Sequence, residues 1–248
     1  MLSIVIRFKI IKFILKSFLP CRIIFVDINF QGDLHMFNKK GILFDLDGTL
    51  WNSSEGVARS FNIALEQLGY DLKLTANDLQ SVMGKVMDEI AHIFFDCIDP
   101  DKAEDIMRYC TKIEGEYIAK FGGPLYAGLE ETLKQLKQEG WFIACVSNCQ
   151  SGYIEAFLQF SGLGEYFDDI ECWGNTLKLK AYNIALTAKR NKLTHVVYVG
   201  DTLGDYNSAN EAGVKFVHAS YGFGEVPAGT PKIASLSELP DLAAKLIM

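Results

Sequence analysis

Hydrophobic and polar positions alternate with two different periods along this chain, and the changes of period mark its parts. Gly41 to Phe44 is a short apolar run with β-branched and aromatic members, the pattern of a buried strand. From Trp51 the spacing becomes helical. Val57, Phe61, Ala64, Leu65 and Leu68 make one stripe, with Ser53 or Ser54 able to cap it and Gly69 to stop it. Thr75 with Asp78 three residues on marks a second start, an Asp variant of the capping box. Met87, Ile90, Ala91 and Phe94 continue the helical spacing. After Asp99-Pro100 a longer helix carries Ala103, Ile106, Met107, Cys110, Ile113 and Tyr117. No strand candidate intervenes before Phe121, so residues 51–124 are expected to be an all-helical insertion. The loop Gly122-Gly123-Pro124 that closes it permits a hinge.

Beyond that loop strands and helices alternate. Leu129, Leu133 and Leu136 predict a helix ended by Gly140, Trp141 to Ser147 a strand, and Tyr153 to Leu158 a helix. A short strand at Ile170 to Trp173, a helix over Ala181 to Arg190 and a strand at His195 to Gly200 follow. A helix from Asp205 to Ala212 and a strand from Val214 to Ala219 complete the series. This order implies an α/β fold: a parallel sheet covered by helices on both faces through right-handed crossovers. Residues 36–50 and 125–248 would form that core and residues 51–124 an inserted helical cap.

The first 35 residues stand apart. Met1 to Phe30 is rich in Ile, Phe and Leu, but Arg7, Lys9, Lys12, Lys16 and Arg22 break it, so no uncharged run approaches the ~20 residues of a membrane span. A secretory signal needs a small-residue cleavage site, and the first alanine is Ala58. The segment reads as an extension ahead of a working protein that begins near Met36; the lysines at 9, 12 and 16 leave an interfacial helix as the alternative.

Composition narrows the partners. The 248 residues carry a net charge of -7, which argues against nucleic acid, since neutralising phosphates needs basic surface. The six cysteines include no Cys-x-x-Cys pair and several sit in apolar contexts, as expected of buried thiols in a reducing cytoplasm.

The chemistry collects where strands end. Asp45 and Asp47 follow the first strand, two apart, and would project to one side if the strand continued that far. The plain alternative for Asp47-Gly48 is a hairpin turn, but no second strand follows. Ser147-Asn148 ends another strand, where small polar side chains and free backbone N–H groups suit phosphate or simply cap the next helix. Asp201 and Asp205 follow a third. Four acids so gathered call for a hard cation, and Mg²⁺ fits because it takes oxygen ligands and bridges carboxylates to phosphate. A lysine from Leu177-Lys178-Leu179-Lys180 could balance the charge, or either lysine could be a solvated loop charge.

Asp45-Leu46-Asp47-Gly48-Thr49, Ser147-Asn148, a lysine, and Gly200-Asp201-Thr202-Leu203-Gly204-Asp205 together resemble the four ordered motifs of the haloacid dehalogenase superfamily. Within it the chain looks most like the phosphoglycolate phosphatase type with a helical cap. The resemblance implies a Rossmann-like core of parallel sheet and flanking helices, and a Mg²⁺-dependent phosphatase that hydrolyses a small phosphorylated metabolite through an aspartyl phosphate. Asp45 would be the nucleophile and Asp47 the general acid and base. Thr49, Ser147, Asn148 and Lys180 would hold the phosphoryl group. Asp45, Asp201 and the backbone carbonyl of Asp47 would hold the metal, with Asp205 farther out. Many members follow the lysine with proline, which neither Lys178 nor Lys180 does; Lys180, opening a helix with Asn183 near its start, is assigned the role. A phosphomutase would use the same residues. A phospho-accepting signalling receiver shares the acids and lysine but lacks a helical insertion after its first strand. In the cap, Gly84 breaks the helical pattern and would let a loop bring Lys85 to the site, or would merely end a helix beside a solvated lysine.

Overall fold

The first apolar run forms strand β1, Lys40–Phe44, in a computed structural model that describes residues 39–248. The extension expected over residues 1–35 lies outside the described residues. Strands β2 (Phe142–Ser147), β3 (Asp169–Cys172), β4 (His195–Gly200), β5 (Lys215–Ala219) and β6 (Lys232–Ile233) join β1 in one sheet of order β3-β2-β1-β4-β5-β6. Every pairing is parallel. The chain builds outward from β1 through β2 to β3, then returns to lay β4 on the other side of β1. That reversal makes a crevice at the carboxyl ends of β1 and β4, the general ligand position of open α/β sheets.

Both faces of the sheet are covered, so its central strands are buried along their length and show no apolar/polar alternation. Ile42 and Phe44 of β1 enter one apolar cluster and Leu43, pointing the other way, enters a second with Ala144, Val146, Ile184 and Tyr198. Helices α1 (Ser54–Leu68), α2 (Ala76–Val82), α3 (Met87–Phe95) and α4 (Ala103–Phe121) make up the insertion. The core helices are α5 (Leu129–Gln138), α6 (Tyr153–Ser161), α7 (Trp173–Thr176), α8 (Lys180–Arg190), α9 (Leu203–Glu211) and α10 (Leu239–Ile247).

Several local expectations are corrected. Neither Ser53 nor Ser54 caps α1 with its own hydroxyl; the Asn52 carboxamide oxygen accepts from Ser54 N at 3.2 Å and Ser54 Oγ at 2.6 Å, and Ser53 faces elsewhere. The Thr75–Asp78 capping box does form. β3 stops at Cys172, where β2, its one partner among the described residues, ends opposite at Ser147, and Trp173 instead opens α7. β6 and α10 lie beyond the last predicted strand. Of the described cysteines, Cys110, Cys145, Cys149 and Cys172 are buried free thiols, but Cys97 is exposed.

Candidate active site

Strand β1 ends at Phe44, one residue before the first acid, and this decides the geometry of the pair. Past the end of the strand the two carboxylates take different partners, yet both line one cavity. Asp45 turns to the Lys180 ammonium, and Asp47 turns to Trp51, Ser53 and Tyr153. Asp47-Gly48 is also a true tight turn: Leu50 N–H returns to Leu46 C=O at 2.9 Å and Gly48 N–H to Trp51 C=O at 2.9 Å. Gly48 adopts φ +83°, and a Cβ there would lie 2.2 Å from Asp201 Oδ2. Only glycine lets the turn and the second acid approach this closely. The turn and the site are therefore one feature.

Oxygen atoms of Asp45, Asp201 and Asp205 lie within 4.8 Å of one another, all three residues buried. The Lys180 Nζ sits between two of them, 2.7 Å from Asp45 Oδ1 and 2.6 Å from Asp205 Oδ1, and is itself 2% exposed. It lies at the first position of α8, where Leu179 is extended and turns the chain inward. Lys178 is exposed, so the geometry singles out Lys180. Asp205 has a second duty: its Oδ2 accepts from Thr202 N at 3.0 Å in a capping box that starts α9. Asp201 Oδ2 accepts from Phe223 N at 2.7 Å, and Oδ1 faces Thr49 Oγ1 at 3.5 Å.

Three carboxylates against one ammonium leave an excess of negative charge, and the protonation preferences follow. Burial, then Asp205, pushes Asp45 up to about 7, with Lys180 opposing. Burial, then Asp205 and Asp45, pushes Asp201 up to about 8. Lys180 is held well above its ordinary range: burial opposes its charge, and Asp205 and Asp45 more than offset that. Oxygen donors, excess negative charge and compact spacing suit a small hard divalent cation.

Asp47 is held apart. Trp51 Nε1 and Tyr153 OH each donate to Oδ1 at 3.0 Å, and Ser53 Oγ donates to the same oxygen. Burial raises this carboxyl above its usual range, while the donors favour the anion. Asp45, Asp47, Ser147 and Asn148 line a common cavity of about 40 Å³, room for a few water molecules. Thr49, Lys180 and Asp201 stand behind it, fully or nearly fully buried.

The cap closes this cavity. Asn148 Nδ2 donates to the Gly84 carbonyl at 2.8 Å, which ties the end of β2 to the loop after α2 and leaves Asn148 Oδ1 buried without a partner. One of the two Asn148 Nδ2–H donors is thus used on the loop after α2. Gly84, at φ +84°, rests against Thr202 Oγ1, 3.3 Å from where a Cβ would be. The loop approaches the site as its glycine predicts and Lys85 lines the cavity, with its ammonium 3.4 Å from Glu89.

Glu114, absent from the sequence-based expectations, also lines the cavity. It is 4% exposed, with its Oε2 accepting from Gln150 Nε2, and burial followed by the charge of Asp47 pushes it up to about 8. A signal was present: Glu114 falls on the buried stripe of α4, with Met107, Cys110 and Ile118, where an acid is out of place.

The profile of the haloacid dehalogenase-like hydrolase family matches residues 42–219. A phosphoglycolate phosphatase of Vibrio parahaemolyticus is 28% identical over 225 residues, 83% of this chain and 96% of its own length. One of Cereibacter sphaeroides is 27% identical over 219 residues, 84% of this chain and 99% of that protein. Among solved structures, CbbY of Rhodobacter sphaeroides, in complex with phosphate, superposes with a TM-score of 0.68 at 24% identity, covering 80% of this chain and 95% of that one. At that identity the likeness supports the fold.

Proposed function

This chain belongs to the haloacid dehalogenase-like hydrolase family, and from that premise we propose that it hydrolyses small phosphate monoesters with Mg²⁺ through an aspartyl phosphate, as a phosphatase of the phosphoglycolate phosphatase type. The observation that carries this reading is the division of labour at the end of β1: Asp45 is paired to Lys180 among the buried acids, and Asp47 is held separately by three donors. Residues 36–50 and 125–248 form the catalytic core in this reading and residues 51–124 its cap.

Asp45 attacks phosphorus in line, forming a new P–O bond as the bond to the leaving oxygen breaks. Asp47 gives its proton to that oxygen, and a raised pKa suits an acid at neutral pH. The deprotonated Asp47 then takes a proton from water attacking the phosphoenzyme, which releases phosphate and restores Asp45. Lys180 offsets charge on the transferring group, and Ser147 and Thr49 bind it. Asp45, Asp201 and the Asp47 carbonyl would hold Mg²⁺, which would supply charge neutralisation at the phosphate oxygens. Asp205, with its oxygens committed to Lys180 and Thr202, positions the lysine. Buried free thiols suit a reducing, cytoplasmic setting. Among the described residues no helix is long and apolar enough to cross a membrane.

The test is release of p-nitrophenol from p-nitrophenyl phosphate. Turnover with Mg²⁺, loss in chelator and failure of Ca²⁺ to restore it are expected. Full activity in excess chelator would overturn the metal assignment, and no turnover at all would overturn the phosphatase.

A further inference from the structure

The cavity has two ends of opposite character. Beyond Asp45, Asp47, Ser147 and Asn148 its wall is largely apolar, with Val57, Phe61, Leu79 and Ile90, and the polar side chains set among them are Lys85, Glu114, Gln150 and Tyr153. Glu114 comes from the middle of α4 and is buried within the cap. Its Oε2 is occupied by the Gln150 amide, and among the described residues Oε1 has no hydrogen-bond partner. Among the described residues no cation is paired with this carboxyl: Lys85 also lines the cavity, but its ammonium is 3.4 Å from Glu89, and Lys180 lies between Asp45 and Asp205. A buried carboxyl with one free oxygen facing a cavity accepts a donor there.

The proposed chemistry locates that oxygen relative to substrate. Asp47 protonates the leaving oxygen, so what lies beside Asp47 in the cavity meets the leaving group. Tyr153, whose hydroxyl donates to Asp47, and Gln150, which donates to Glu114, both line this part of the wall. We infer that Glu114 selects the leaving group, accepting a hydrogen bond from a hydroxyl or ammonium and disfavouring a carboxylate. The inference rests on the phosphatase reading and sharpens it, for it turns the preferred substrate away from phosphoglycolate itself. Above the pH of about 8 to which its carboxyl is pushed, Glu114 is ionised, and a carboxylate leaving group would then set two negative charges together in a poorly solvated space while the Lys85 ammonium is paired with Glu89.

Three phosphate esters of nearly equal size test this: 2-hydroxyethyl phosphate, 2-aminoethyl phosphate and phosphoglycolate, which end in a hydroxyl, an ammonium and a carboxylate. With the full chain and Mg²⁺ at about pH 9, where Glu114 is ionised, kcat/KM is expected to be at least about tenfold higher for the better of the first two than for phosphoglycolate. Which of the two leads identifies the donor. Glu114→Gln, nearly isosteric, should reduce that ratio at least about fivefold, mainly through KM. Equal or greater efficiency with phosphoglycolate in the unaltered protein overturns the inference, whether or not the variant folds. A folded Glu114→Gln protein with an unchanged ratio overturns it too. In both cases turnover of p-nitrophenyl phosphate leaves the phosphatase reading standing, whereas no hydrolysis of any ester removes both.

Discussion

The two ends of the cavity solve the problem of burying charge in opposite ways. At the core end, three acids and a lysine are drawn from three separate segments, with Lys180 bonded to Asp45 and Asp205 and an Asp201 oxygen within 4.8 Å of theirs. At the cap end a single acid sits in an apolar wall with one amide for company. The dense cluster is rigid because each member holds another, and removing one leaves its partners exposed to the full cost of burial. The sparse end has little to lose and can vary without disturbing the fold. A recurring phosphate chemistry on the dense end and a variable recognition on the sparse end is the arrangement this contrast supports.

The strongest way to break the contrast is at Asp45, the proposed nucleophile. Asp45→Asn should lower turnover by about 10³-fold or more while the cooperative thermal transition persists; retention of more than a few per cent of activity would refute the role. Next is Lys180→Met, which leaves Asp45 and Asp205 buried without their cation and should cost about 3–5 kcal/mol of stability at pH 8 in metal-free buffer. A loss below about 1 kcal/mol by urea unfolding would mean that the cluster is not held together by its lysine.

A third test uses protons. Asp45 and Asp201 have folded-state pKa values raised to about 7 and about 8, from an ordinary 3.8. Between pH 4 and 8 the folded state therefore holds more protons than the unfolded state, and stability from these groups is full below pH 4 and lost as pH rises through 7 and 8. The metal-free protein should show a falling Tm across that window, and added Mg²⁺ should raise Tm more at pH 8 than at pH 5. A Mg²⁺ effect independent of pH would contradict it. The smallest effect lies at the seam between the ends. Asn148→Ala removes the bond to Gly84, about 1 kcal/mol, and should speed amide exchange in the loop of residues 83–86 about fivefold. Unchanged exchange would show that the loop is held by other contacts.

Much of the dense end was legible because each of its members follows or opens an element whose period is plain. Asp45 and Ser147 stand at the ends of apolar runs, Asp201 follows another, and Lys180 begins a helix. What periodicity could not give was direction: whether Asp45 and Asp47 share a face depended on where β1 stopped, one residue before the first acid. Nor could it assign the Asn148 amide to a cap loop 64 positions earlier in the chain. Glu114 was hidden because helical acids are usually solvated, although its stripe-mates Cys110 and Ile118 marked the face. β6 was too short to show any period at all, and α10 carries its stripe of Leu239, Leu242, Ala243 and Leu246 in a tail where no chemistry drew the eye.

The donors of Asp47 bear on modularity. By chain position Trp51 and Ser53 open the insertion, yet their side chains belong to the catalytic turn of the core. A chimaera that exchanged caps at residue 51 would therefore import a foreign pair of donors and strip the acid of its own. The interchangeable unit starts at α1 and not at the end of the sequence motif, so a recombination library aimed at new substrates should keep residues 51–53 with the recipient.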